Sequence, residues 1–120
     1  MTNEYTEWIA KAERDFRAGK YNVAGKLLEE GAFFFQQSAE KALKALAIKN
    51  FGKFPKIHDL VSLAVDLKAP EEIKSYARFL SPAYQYTRYP DVIKTEDLEG
   101  EIEELENSAQ EILKWVKKNL

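Results

Sequence analysis

Residues 32–50 read AFFFQQSAEKALKALAIKN. Phe35, Ala39, Ala42 and Leu46 recur at steps of four, three and four, which is one face of an α-helix. Ser38, Leu43 and Ala47 flank that face, and its alanines let a second helix approach closely. The stretch predicts a helix from about Ala32 to Asn50, broken by Gly52 and Pro55. Upstream, Ile9, Ala12, Phe16, Gly19, Val23 and Leu27 repeat the pattern. They predict a first helix over roughly 3–29, capped by Thr2 or Asn3 and stopped at Gly31. Gly19 and Gly25 each weaken it by about 1 kcal/mol against Ala. A break near Gly19-Lys20 is the alternative.

Downstream, Leu60, Leu63, Ala64 and Leu67 predict a short helix near His58–Leu67. Pro70 suits the first position of a fourth helix, and Glu71 and Glu72 suit its positive end. Pro82 kinks or restarts that helix and Pro90 ends it. Ile102, Leu105, Ala109, Ile112 and Val116 trace a last helix over roughly 96–119, with Lys114, Lys117 and Lys118 where the dipole favours cations. No strand alternation and no internal repeat is present. Short loops between amphipathic helices predict an all-α, antiparallel up-and-down bundle of four to five helices, one domain over 1–120.

The 120 residues carry 18 Lys and Arg against 20 Asp and Glu, a net charge of -2, which argues against a generally cationic nucleic-acid binder. The absence of cysteine excludes disulfides, thiol nucleophiles and thiolate metal sites. The single histidine, His58, excludes a multi-histidine metal centre within one chain. No apolar signal core or spanning stretch is visible, so a soluble, cytoplasmic protein is expected. Charge is unevenly placed. Residues 96–111 hold eight Asp or Glu and no Lys or Arg, whereas residues 40–59 hold five Lys against Glu40 and Asp59. Such runs are ordinarily solvated faces, and the sharper reading is a basic side that meets phosphate or an acidic partner.

Three segments carry more specific information: QQSAEKALKAL at 36–46, His58-Asp59-Leu60 followed by Leu63, and YQYTRYPD at 84–91. In order and spacing they resemble the HEPN domain family, named for higher eukaryotes and prokaryotes nucleotide-binding. The resemblance covers most of the chain. It implies an antiparallel bundle, frequent homodimers, and frequent pairing with a minimal nucleotidyltransferase in toxin–antitoxin modules. Some members of that family are metal-independent ribonucleases that use an Arg followed four to six residues later by His. That motif is absent here: Gly52, Lys53 and Phe54 stand at those distances before His58. Catalysis, and RNA as a ligand, are therefore not expected.

The candidate nucleotide-binding residues are Lys41, Lys44, His58, Tyr86, Arg88, Tyr89 and Asp91. No catalytic residue, metal or cofactor is assigned, beyond a nucleotide as ligand. His58 offers a ring that stacks on a base or bonds a phosphate, or simply a structural role at a helix start. Arg88, between Tyr86 and Tyr89, offers a planar guanidinium for phosphate beside two rings. Its bland alternative is a bond to helix-end carbonyls. Lys41 and Lys44 share a helix face, which is a cationic pocket only if that face meets Arg88. Phe33, Phe34 and Phe35 cannot all pack on one neighbour, because successive helical residues diverge by about 100°. At least one is expected exposed, or buried by a second copy of the chain.

Overall fold

The computed structural model describes residues 4–54, 56–90 and 98–120. Among these, six helices follow one another: α1 (Glu4–Ala24), α2 (Leu28–Phe51), α3 (Leu60–Asp66), α4 (Glu71–Leu80), the single turn α5 (Ala83–Tyr86) and α6 (Leu98–Asn119). Glu4 and Glu7 open α1, and Glu29 and Glu30 open α2, where the helix dipole favours negative charge.

α1 ends earlier than its apolar pattern suggests. Lys26 takes a left-handed backbone, with φ of 64°. Its N–H bonds Val23 O at 2.9 Å, and the Leu27 N–H bonds Asn22 O at 2.8 Å. This paired closure satisfies the last carbonyls of α1 and turns the chain. The helix over 3–29 is thus two helices with a turn at Gly25–Leu27, and α2 begins at Leu28 rather than Ala32. The chain does not break at Gly19-Lys20, which lies inside α1. Gly31 stops nothing; it lies inside α2 and lets the two helices touch. A Cβ on Gly31 would sit 2.6 Å from Val23 Cγ2, and one on Gly19 would sit 2.5 Å from Phe35 Cε1. The tight hairpin is locked by the Ser38 hydroxyl, which donates to Ala12 O at 2.7 Å in the buried interface.

Residue pairings fix the helix directions. Gly31 meets Val23, Phe35 meets Gly19 and Ser38 meets Ala12, so one partner rises as the other falls and α1 and α2 are antiparallel. Lys49 near the end of α2 donates to Asn119 O at the end of α6, so these two run parallel. It follows that α6 is antiparallel to α1, against which Lys117 pairs with Glu13. Pro70, just before α4, and Ile73 in its first turn share a surface depression with Lys118 and Trp115 of α6, so that pair is antiparallel too. The result is an up-and-down helical bundle with α2 at its centre. Every residue from Ala42 to Ile48 is buried. Phe35, Leu43, Leu46, Leu60, Leu63, Leu80, Ile112 and Val116 form the heart of the core.

Gly52, with φ of 79°, closes α2 by donating its N–H to Ile48 O. Pro55, the second expected break, lies outside the described residues. α3 begins at Leu60, two residues later than expected, because Asp59 is its cap: the carboxylate accepts from the Val61 N–H. His58 therefore precedes the helix. Pro70 likewise sits one position before α4, and Pro82 separates α4 from α5. No helix among the described residues is long and apolar enough to cross a membrane.

Candidate functional site

One stripe of the buried central helix is polar. Gln36, Glu40 and Lys44 follow each other at single-turn spacing and are 0%, 5% and 5% exposed. Glu40 is the hub. Its Oε1 accepts from Gln36 Nε2 at 3.0 Å, and its Oε2 accepts from Lys44 Nζ at 3.0 Å. His58 Nδ1, from the loop before α3, lies 2.9 Å from the same Oε2. Burial pulls the Glu40 carboxyl up, but the bonds from His58, Gln36 and Lys44 and the Lys44 charge outweigh it. The carboxyl is held below its ordinary 4.5 and is ionised at neutral pH.

A column of flat groups stands over this stripe. The His58 ring stacks on Tyr84 at 4.6 Å between centroids and 19° between planes. The Arg88 guanidinium lies 3.8 Å from the Tyr84 centroid and 4.8 Å from that of Phe33. Tyr84 is thus in contact with both the imidazole and the guanidinium. Their anchors are adjacent: Arg88 Nη2 donates to Gln36 Oε1 at 3.4 Å, one turn of α2 away from the Glu40 that holds His58. Arg88 Nη1 donates to Tyr84 O at 3.0 Å. The chain thus closes α5 back on its own carbonyl while aiming the cation at two aromatic faces.

The column borders an open pocket of about 470 Å³, lined by His58, Asp59, Val61, Arg78, Ser81, Pro82, Tyr84 and Gln85. The Asp59 oxygens are occupied by the Val61 N–H and the Ser62 hydroxyl. Arg78 pairs with Glu71 at the surface. The His58 side chain is half exposed. Its Nε2 has no partner among the described residues. The pocket is therefore mostly apolar, with a few polar groups and charges that offset each other, and it has a flat exposed ring at its edge. Chemically it suits a planar, hydrogen-bonding group more than a bare anion.

The structure brings His58, Arg88 and Lys44 into one cluster and sets the other candidates apart. Lys41 points to α1, where its Nζ pairs with Asp15 at 2.6 Å, so the two lysines do not make a joint cationic face toward Arg88. Lys44 itself is neutralised by Glu40 and lies 5.0 Å from the Phe54 ring. Tyr86 is half-buried against the core, and burial, with the nearby Glu101 and Glu29, pushes its hydroxyl far above the ordinary 10. Tyr89 is exposed. Asp91 lies outside the described residues. Of the three phenylalanines, Phe35 is buried, Phe33 lies under Arg88, and Phe34 tilts on Phe33 at 5.2 Å. Both Phe33 and Phe34 are left half-buried in one copy of the chain. The residues that sequence reasoning missed are Gln36, Glu40, Tyr84 and Arg78. For Gln36 and Glu40 the readable signal was the polar repeat at 36, 40 and 44; Tyr84 and Arg78 had none.

The family model described as HEPN domain matches residues 5–119. The crystal structure of TT1696 from Thermus thermophilus superposes with a TM-score of 0.88 at 28% identity, covering 99% of this chain and 100% of that one. The crystal structure of ST0689, an archaeal HEPN homologue, superposes with a TM-score of 0.81 at 33% identity, covering 98% of each chain. No curated protein matches this chain.

Proposed function

The chain belongs to the HEPN domain family, and from that premise we propose that it is a homodimeric module binding a nucleotide or a nucleotide-bearing partner at the His58 pocket. The carrying observation is the Arg88–Tyr84–His58 column, which sets an exposed imidazole at the edge of an open, mostly apolar pocket. A preformed flat surface stacks a base with little ordering cost. The half-buried Phe33–Phe34 pair supports a second copy of the chain as its cover.

Thermal unfolding with ATP, GTP and their monophosphates tests this. A ligand at a hundredfold excess over Kd stabilises by about 2.7 kcal/mol. The shift is expected with at least one nucleotide and is lost in His58→Ala. Absence of any shift across the panel overturns the reading.

One observation favours a second reading. Arg88 and Lys44 are already engaged within the chain, which leaves few free cations for phosphate. In that reading the same surface contacts a minimal nucleotidyltransferase as a toxin or antitoxin partner. Co-purification with a nucleotidyltransferase encoded beside this chain, abolished by His58→Ala, is its expected outcome.

A further inference from the structure

The His58 contact on Glu40 carries more than placement. An ionised carboxylate accepts hydrogen bonds and donates none. Both Glu40 oxygens are acceptors here, for Gln36 on one side and for Lys44 and His58 on the other. The hydrogen of the 2.9 Å contact therefore belongs to His58 Nδ1. In a neutral imidazole the other nitrogen is then a bare acceptor. It lies on the ring edge opposite Nδ1, and the ring itself lines the pocket. The pocket's cation, Arg78, is turned to Glu71, and its carboxylate, Asp59, caps α3. In its neutral form His58 therefore offers the pocket an Nε2 lone pair, and that atom has no partner among the described residues.

We propose that Glu40 is a positioning residue that fixes His58 as its Nδ1–H tautomer, so that Nε2 accepts a hydrogen bond from the pocket's ligand. The ligand class follows from this polarity. The group that meets Nε2 must be a donor. A nucleotide carries donors on its ribose hydroxyls, on the ring N–H of guanine or uracil and on the exocyclic amine of an aminated base, and of these the amine is the one assigned here. A phosphate oxygen, which only accepts, does not satisfy Nε2. This inference rests on the nucleotide-binding reading for its ligand, but the tautomer itself does not.

Two measurements separate these parts. Long-range nitrogen-15 spectra of the imidazole in the free protein at neutral pH report the tautomer directly. The expected result is Nδ1 protonated and Nε2 bare in the native chain, and a mixture in Glu40→Gln, whose amide accepts or donates with equal ease. If Glu40→Gln does not fold, Glu40→Gln with Lys44→Met, which removes both buried charges together, serves the same comparison. An Nε2–H signal, a doubly protonated ring, or an unchanged tautomer in the variant overturns the proposal. Titration calorimetry then compares AMP with purine riboside monophosphate, and CMP with its analogue lacking the 4-amino group. Loss of the amine is expected to weaken binding by at least about tenfold in one pair, because it leaves a polar group unpaired. Equal affinities within both pairs overturn the ligand class. No binding by any of the four, with the tautomer as expected, overturns the nucleotide reading and leaves the role of Glu40 standing.

Discussion

Glu40 and Lys44 stand on the core side of the central helix, each 5% exposed. Two charges in that place are tolerated because each completes the other and Gln36 and His58 take the remaining valences. Removing one alone leaves a buried, unpaired charge. Glu40→Ala is expected to lose roughly 3 kcal/mol in urea titrations, and adding Lys44→Met to recover most of that loss. The carboxyl's lowered pKa also gives stability a pH dependence. The contribution is fully present above the unfolded value near 4.5 and is lost as pH falls through the lower folded value. Denaturation at stepped pH is expected to show that decline in the native chain, and a shallower one in Glu40→Gln with Lys44→Met.

The α1–α2 hairpin shows what a single glycine does between elements. Gly31 faces Val23 and the Gly19 carbonyl with no room for a methyl group. Gly31→Ala is expected to destabilise by about 1–3 kcal/mol through overpacking. At the turn the logic reverses, since Lys26 holds a left-handed backbone that Gly adopts without strain. Lys26→Gly is expected to stabilise by roughly 1 kcal/mol. Thermal denaturation of the two single variants gives opposite shifts. These positions also mark the limit of what the sequence makes legible. Spacing located the helical faces and the bundle, because burial of an apolar stripe is a local, periodic property. It missed the turn at Gly25–Leu27, because Val23 and Leu27 keep the period while the backbone leaves the helix. It took Gly31 for a stop, because a glycine for close approach and a glycine for a turn read alike in one dimension. At the site, His58 and Arg88 were legible as chemistry, but their meeting through Tyr84 depends on three elements folding together. Lys41 and Lys44 share spacing yet answer to different neighbours, Asp15 and Glu40.

Across the whole molecule, the helices arrange themselves around α2, and the polar stripe on α2 is where the fold and the candidate site meet. α6 runs parallel to it, which gathers the starts of α2 and α6 near Tyr86 and their ends near Lys49. The Phe33–Phe34 pair sits toward the first end, and light scattering at micromolar concentration is expected to report a mass of two chains. Phe34→Glu is expected to return one chain with unchanged helical content. The enclosure of Ala42–Ile48 on every side has a separate consequence for exchange with deuterated water. No partial opening uncovers that segment without parting α2 from its neighbours, so its amides exchange only when the whole bundle comes apart. Their rates read the global stability directly. A ligand in the pocket is therefore expected to slow them by its full stabilising factor, although it touches none of them.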